Sequence, residues 1–214
     1  MSSIAEQKVL LYFHDPMCSW CWSFDAVFER LLKKLPDDLV VKRILGGLAK
    51  DTNEPMPTEM QEMLENTWAT IEHEVPGVTF NFDFWKENKP RRSTYPACRA
   101  VIAARRQGDL YDVMMTKAIQ KAYYKDAKNP SDDEVLLSIA NEMGLDTTLF
   151  SSHLNSDEVN QELQSEIEFT RSVGVSSFPS LLLQARTNYW HVQHDYNDEE
   201  RMRTRINTIL KTNN

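Results

Sequence analysis

The arrangement that most constrains the fold is a pair of cysteines placed where a buried strand passes into a helix. The nearly continuous apolar run over residues 8–13 predicts a strand that is buried on both faces. From about Cys18 to Pro36, apolar residues recur at helical spacing, with Cys18 and Cys21 in the first turn. A second apolar run over residues 39–45, closed by two glycines, completes a predicted β-α-β unit.

The spacing of the two cysteines has a direct chemical consequence. The unpaired N–H groups of a first helical turn, together with the positive end of the helix dipole, stabilise a thiolate at Cys18. A thiolate is the form of cysteine that attacks a disulfide bond. Two intervening residues place Cys21 one turn further on, close enough to form a disulfide with Cys18. The motif therefore predicts a redox-active pair with an accessible Cys18 and a buried Cys21.

Zinc binding is the competing interpretation of two cysteines at this spacing. A structural zinc site needs four ligands and usually takes the other two from a second closely spaced pair. The third cysteine, Cys98, stands alone, and among the five histidines only His191 and His194 are neighbours. The spacing therefore favours redox chemistry, with no metal and no cofactor other than the redox-active disulfide itself.

Most of the middle of the chain is predicted to be helical. One apolar stripe runs through Met60, Met63 and Trp68 and is assigned to the core. Capping boxes are predicted at two helix starts, Thr58 with Gln61 and Ser131 with Glu134. A short strand is predicted over residues 78–82.

The last part of the chain predicts strands again. After Pro179, two strand-like runs at residues 180–184 and 189–193 flank a short polar turn, which is typical of a hairpin. A final helix is predicted to begin at Asn197, because acidic residues follow there and a basic residue stands near its end.

The charge and composition of the chain argue against several classes of partner. Its net charge of -8 argues against a nucleic acid, because neutralising phosphates needs a surplus of Lys and Arg. No window reaches the apolar length of a membrane span, so no membrane partner is predicted. Residues 1–8 lack the basic and apolar segments of a secretory signal, and three cysteines are too few for a disulfide-stapled scaffold. We therefore expect a cytoplasmic protein.

Two motifs together resemble the DsbA-like branch of the thioredoxin superfamily. They are Asp15-Pro16-Met17-Cys18-Ser19-Trp20-Cys21-Trp22 after a strand, and Val175-Ser176-Ser177-Phe178-Pro179 before one. The resemblance implies an α/β fold, thioredoxin-like with a helical insertion domain. Residues 1–50 and 156–214 would form the thioredoxin-like domain, and residues 51–155 the insertion. The absence of a signal sequence suits the cytoplasmic, FrnE-like members of this branch.

The resemblance also implies the roles of individual residues. Cys18 corresponds to the nucleophile, Cys21 to the resolving cysteine, and Pro179 to a cis-proline that faces the pair. Trp20 and Phe178 are the expected substrate-binding residues, Trp20 through its apolar surface and Phe178 through its backbone.

One departure from the family pattern concerns proton transfer. Exported members of the branch carry a buried glutamate six residues before the nucleophile, where this chain has Tyr12. His14 and Asp15 are the candidate auxiliary groups that would replace it. Trp22 and Cys98 are interpreted as structural residues.

The sequence thus favours reversible thiol–disulfide exchange with protein or peptide substrates, with glutathione as a candidate redox partner. The alternative is a glutathione-linked transferase or isomerase of the kappa or 2-hydroxychromene-2-carboxylate isomerase type. Those enzymes resemble this fold but typically carry Ser rather than a cysteine pair, so Cys21 separates the two hypotheses. A third hypothesis is a binding module that keeps the fold without the catalysis.

Overall fold

The computed structural model describes residues 8–212 and shows an α/β fold built on one four-stranded sheet. The elements in chain order are β1 (Val9–His14), α1 (Ser19–Leu32), β2 (Val40–Leu45), α2 (Thr58–Glu74), α3 (Phe84–Glu87), α4 (Tyr95–Arg105), α5 (Leu110–Tyr124), α6 (Asp133–Glu142), α7 (Thr147–Leu154), α8 (Asp157–Ser172), β3 (Ser180–Ala185), β4 (Asn188–Val192) and α9 (Glu199–Thr212).

Strand β1 lies inside the sheet, whose order is β2-β1-β3-β4. It pairs in parallel with β2 and antiparallel with β3, and all six of its residues are buried. Leu10 and Tyr12 pack on one face against apolar residues of α1 and α9, while Leu11 and Phe13 pack on the other. The predicted buried strand, the β-α-β unit and the hairpin of β3 and β4 are all confirmed.

The helices α2 to α7 fall within the predicted insertion, and in the described chain no sheet strand lies between Leu45 and Ser180. Helix α4 is the centre of this layer, since its residues from Tyr95 to Ala104 are all buried. One apolar cluster joins these helices to α8 and to Leu45 at the end of β2. The thioredoxin-like part and the helical part therefore share a core. The division at residues 50 and 156 stays a prediction, and its residues 1–7 and 213–214 lie outside the described residues.

The strand predicted over residues 78–82 is wrong. This segment is an extended loop whose Asn81 N–H donates to the Tyr124 carbonyl at 2.8 Å. Phe80 stacks on Trp68 with ring centroids 4.9 Å apart. Its alternating apolar residues thus pack into the helical layer, where no neighbouring strand is available for pairing.

Both predicted capping boxes are also wrong. Pro57 is the N-cap of α2, and the Gln61 side-chain amide donates instead to the Met56 carbonyl at 2.7 Å. Asp132 is the N-cap of α6, and the Ser131 hydroxyl donates to the Ser93 carbonyl at 2.6 Å. In both cases the side chain that the local pattern assigned to a helix end instead donates a hydrogen bond to the carbonyl of a neighbouring loop.

Two further details differ from the sequence-based predictions. The last helix begins at Glu199 rather than Asn197, because the Asp195 carboxylate accepts from the Asn197 and Asp198 N–H groups and holds a turn there.

On α2, Trp68 is buried as predicted, but Met63 is 54% exposed and does not belong to the core.

Candidate active site

The first feature of the site is the position of Cys18 at the N-cap of α1. The turn before the helix closes when the Cys18 N–H donates to the Asp15 carbonyl at 3.0 Å. Cys18 itself is extended, with ψ of 115°, and its Sγ accepts the Cys21 N–H at 3.4 Å. The sulfur therefore occupies the place of the side-chain oxygen in an ordinary N-cap, where it meets a free N–H group of the first turn.

The two cysteines of the motif differ in burial. Cys18 is 6% exposed and Cys21 is fully buried, and both are free thiols. The prediction of an accessible Cys18 is wrong, because this thiol is buried and lies against the Phe178 carbonyl; only the order of exposure of the two cysteines agrees with the sequence. Burial, and after it the neighbouring Cys18 sulfur, raises the pKa of Cys21 well above its usual value. The burial of Cys21 therefore favours its protonated form, and Cys18 is the less buried of the two sulfurs.

A segment 160 residues away completes the surroundings of Cys18. The Cys18 thiol donates to the Phe178 carbonyl at 3.4 Å. The Phe178–Pro179 peptide bond is cis, and Pro179 comes directly before β3. Because β3 pairs with β1, the loop before β3 is carried to the same end of the sheet as the start of α1. Pairing of the strands thus positions Phe178 and Pro179 beside the cysteine motif.

The two tryptophans of the motif lie in different environments. Trp20 is half-buried, and its ring packs on Tyr196 with centroids 4.9 Å apart. Trp22 stacks on Tyr124 at 5.6 Å and belongs to the packing of the helical layer, as its structural interpretation requires. Both rings are half-buried and pack against the helical layer, and Trp20 also lines an open groove with α2.

Sequence reasoning missed several residues that contact the motif, Tyr196, Tyr124 and Trp68 among them. Trp68 of α2 donates through Nε1 to the Ser19 hydroxyl oxygen at 3.2 Å. This bond attaches α2 to the first turn of α1. A buried aromatic residue on a helical stripe carried no signal that distinguished it from ordinary core.

Asp15 is fully buried and accepts hydrogen bonds from four donors. They are the Met17 N–H at 2.8 Å, the Leu48 N–H at 2.7 Å, the Thr94 hydroxyl at 2.6 Å and the Cys98 thiol at 3.5 Å. Burial raises the pKa of Asp15, although the hydrogen bonds oppose that rise. This carboxyl group thus holds the turn before Cys18 against the loop after β2 and the start of α4.

Cys98 is one of the Asp15 donors and is fully buried itself. Burial, and after it the negative charge of Asp15, raises the pKa of Cys98 well above its usual value. A buried thiol with these neighbours resists ionisation, which agrees with a structural role.

His14 and Tyr12 stack on each other beneath the site, with ring centroids 5.0 Å apart. His14 is 1% exposed, and within residues 8–212 neither of its ring nitrogens has a hydrogen-bond partner. Burial lowers the pKa of His14 well below its usual value, and burial raises that of Tyr12, with the nearby Cys21 adding to the rise. The position of the missing glutamate is therefore occupied by a neutral phenol.

Two properties of the described residues concern metal binding and membrane insertion. Among residues 8–212, no three side chains of the His, Cys, Asp or Glu type are grouped in a way that could hold a metal ion. No helix in this part of the chain combines the length and apolar character needed to cross a bilayer.

Comparison with known proteins places this geometry in context. The sequence profile of the thioredoxin family matches residues 11–196. A crystal structure from Nitrosomonas europaea, assigned provisionally as a protein disulfide isomerase, superposes with a TM-score of 0.85 at 28% identity, covering 98% of this chain and all of the other. The cytosolic disulfide reductase DsbM from Pseudomonas aeruginosa, in a structure with GSH, has a TM-score of 0.73 at 21% identity, covering 95% and 99%.

A curated relative carries a different description. The ClpXP adapter protein SpxH of Bacillus subtilis is 26% identical over 184 residues, which cover 86% of this chain and 58% of SpxH. The chain therefore spans less than two thirds of the length of the curated relative that it matches.

Proposed function

The chain belongs to the thioredoxin family and has the fold of its DsbA-like branch, and from that premise we propose that it is a thiol–disulfide oxidoreductase acting on protein or peptide substrates. The observation that carries this proposal is Cys18 at the N-cap of α1, with its sulfur between the Cys21 N–H and the Phe178 carbonyl. The N-cap position gives the Cys18 sulfur an N–H donor of the first helical turn, and Cys18 is the less buried of the two cysteines.

The proposed reaction has two exchange steps. The Cys18 thiolate attacks one sulfur of a substrate disulfide, a mixed disulfide forms, and the other substrate sulfur leaves as a thiolate and takes up a proton. Cys21 then loses its proton and attacks the Cys18 sulfur, which releases the second substrate thiol. The substrate gains two electrons and two protons, and the protein is left with a Cys18–Cys21 disulfide. The reverse sequence oxidises a dithiol substrate.

The surroundings of Cys18 suit an extended substrate. Pro179 has no N–H group to compete for the sulfur, and we propose that the Phe178 backbone pairs with a substrate strand next to its cysteine. Trp20 supplies apolar surface on the other side of Cys18. Asp15 acts on the reaction through the turn that it holds, because its carboxyl oxygens are already engaged by donors.

Single cysteine variants test the division of labour. Cys21→Ser keeps the nucleophile but cannot resolve the mixed disulfide, so it should accumulate protein adducts visible on a non-reducing gel. Cys18→Ser should trap almost nothing, because Cys21 is fully buried and its pKa is raised by burial. Cys98→Ser is the matched control and should behave like the parent. Equal trapping by the Cys18 and Cys21 variants would contradict the assigned roles.

Glutathione is proposed as a redox partner of the same pair. The support is the similarity to DsbM, whose structure is described with GSH.

A glutathione-linked transferase is the competing enzyme function, and it predicts that the Cys21→Ser variant retains turnover and forms no protein adducts. The presence of Cys21 one turn from Cys18 favours exchange over transfer, because a transferase has no use for a resolving thiol.

An adapter role is the second candidate function, favoured by the similarity to SpxH. It predicts binding to purified ClpXP that survives when Cys18 and Cys21 are both replaced by Ser. If the protein does not bind ClpXP, or if the double Ser variant loses that binding, disulfide exchange would remain as the function.

We also propose a cytoplasmic location, which agrees with the cytosolic description of DsbM.

A further inference from the structure

One face of α2 beside the cysteine motif has no partner within the described chain. The groove along this face has a volume of about 500 Å³. It is lined by Trp20, Glu59, Glu62, Met63, Asn66 and neighbouring threonines. Helix α2 buries only Trp68 and Ile71, so its outer surface is open to solvent.

Two connections join the groove to the cysteine motif. Trp20 is two residues after Cys18, and it forms one wall. The other wall is α2, which is attached to the motif through the hydrogen bond between Trp68 and Ser19. The residues that flank the cysteine of a substrate joined to Cys18 would therefore lie on the side of the motif where this groove opens.

The lining of the groove combines the apolar side chains of Trp20 and Met63 with the carboxylates of Glu59 and Glu62. Met63 is 54% exposed, although methionine is usually buried, and its flexible thioether adapts to different bound side chains. Within residues 8–212, neither Glu59 nor Glu62 forms an ion pair, and no basic residue lines the groove. By contrast, Glu199 on α9 is held by Arg30 and Lys34. The two carboxylates of the groove are thus free to meet a cationic partner.

We propose that this groove binds a lysine- or arginine-containing segment that flanks the reactive disulfide of a protein substrate. The inference rests on the proposed function and specifies its substrate class. Long basic side chains have apolar stems and charged ends, so their stems would lie on Met63 and Trp20 and their ends beside Glu59 and Glu62. The groove contributes binding and orientation only, and the electrons move through Cys18 and Cys21 as described above.

Two synthetic peptides provide the test. Both have the same length and one internal disulfide, and they differ only in three Lys or three Glu after the second cysteine. The pre-reduced protein should reduce the Lys peptide about fivefold faster or more at low salt, and the ratio should fall towards one at about 0.5 M salt, where the screening length is a few ångströms.

Charge-neutral variants locate the effect in the groove. The double variant Glu59→Gln, Glu62→Gln should slow the Lys peptide and speed the Glu peptide, and such opposite changes cannot arise from a misfolded protein. Glu65 lies on the same helix but outside the groove lining, so Glu65→Gln changes the net charge without changing the groove. This variant should reduce the Lys peptide faster than the Glu peptide, as the parent does. Equal rates for the two peptides with the parent, or a preference that survives the double variant, would overturn the proposal.

A small neutral disulfide separates this proposal from the proposed function. If the parent protein fails to reduce hydroxyethyl disulfide, the exchange activity itself is absent. If it reduces hydroxyethyl disulfide but shows no preference between the peptides, exchange stands and the cationic groove is wrong.

Discussion

At the scale of single residues, the site depends on which buried polar groups have partners. Asp15 has four donors and holds the turn before Cys18. His14, one residue earlier, is equally buried but has no hydrogen-bond partner for either ring nitrogen within residues 8–212. His14 ends β1 and stacks on Tyr12, whereas Asp15 lies in the turn after the strand, where loop N–H groups reach its carboxylate.

The burial of His14 predicts a loss of stability in acid. The folded pKa of His14 lies well below the value of 6.5 expected in the unfolded chain, so the unfolded chain takes up this proton first as the pH falls. The free energy of unfolding should therefore decrease below about pH 6.5, by up to about 1.4 kcal/mol per pH unit through this residue. His14→Phe keeps a ring against Tyr12 and should flatten the profile measured by urea denaturation.

A second histidine provides the control for this experiment. His73 lies exposed on α2, and His73→Gln should leave the acid profile of the parent unchanged. Superimposable profiles for the parent and His14→Phe would show that His14 does not titrate as its burial requires.

At the scale of elements, strand pairing decides what faces Cys18. The loop after β2 and the loop before β3 meet at the same end of the sheet, because both strands pair with β1. Gly46 and Phe178 are in contact there. A Cβ atom built on Gly46 would lie 1.9 Å from the Phe178 ring, so a glycine is required for this close approach.

Gly46→Ala should therefore affect exchange more than stability. The added methyl group displaces the Phe178 ring and with it the carbonyl that accepts from Cys18. We expect the rate of peptide disulfide reduction to fall about tenfold or more, since small misplacements in a site are costly. The free energy of unfolding should fall by about 1 kcal/mol, because the ring is a side chain that can move.

Gly77→Ala is the matched control. Gly77 has a φ of +88°, and nothing lies within 4 Å of an added Cβ. The substitution should cost about 1 kcal/mol of stability through backbone strain and leave the exchange rate unchanged. An equal loss of rate in both variants would mean that the contact between Gly46 and Phe178 is not what matters.

At the scale of the whole molecule, one cation connects the helical layer to the sheet. Arg105 at the end of α4 binds Asp112 on α5 at 3.1 Å and Glu166 on α8 at 2.5 Å. The second oxygen of Glu166 accepts the Leu45 N–H at the end of β2. Burial raises the pKa values of both acids and Arg105 opposes that rise, so the cation favours the charged form of the two buried carboxylates.

Removing this cation should destabilise the whole fold. Arg105→Met leaves Asp112 and Glu166 largely buried without their partner, and we expect a loss of about 3 kcal/mol in the free energy of unfolding. Arg201→Met is the control, because Arg201 is 76% exposed and its pairs with Asp195 and Asp198 are open to solvent. That variant should stay within about 0.5 kcal/mol of the parent in chemical denaturation. Similar losses in the two variants would mean that burial of the acids is unimportant.

Local patterns in the chain were sufficient for part of the structure. The strand–helix junction with its cysteine pair, the buried strand β1 and the hairpin of β3 and β4 all follow from periodicities and turn residues within short segments. The resemblance to the DsbA-like branch added the thioredoxin-like fold. The predictions at residues 78–82 and at Ser131 were wrong, because these segments form hydrogen bonds with residues distant in the chain.

The sequence by itself determined the reactive pair and the elements that carry it, because Cys18 and Cys21 are positioned by the hydrogen bonds of one helical turn. The resemblance implied that Pro179 and the Phe178 backbone face that pair, and the tertiary structure decided which contacts form there. Phe178 reaches Cys18 from 160 residues away through the pairing of β3 with β1, and Trp68 reaches Ser19 through the packing of α2. Those contacts depend on how distant elements pack together, and the spacing of residues along the chain carries no record of that packing.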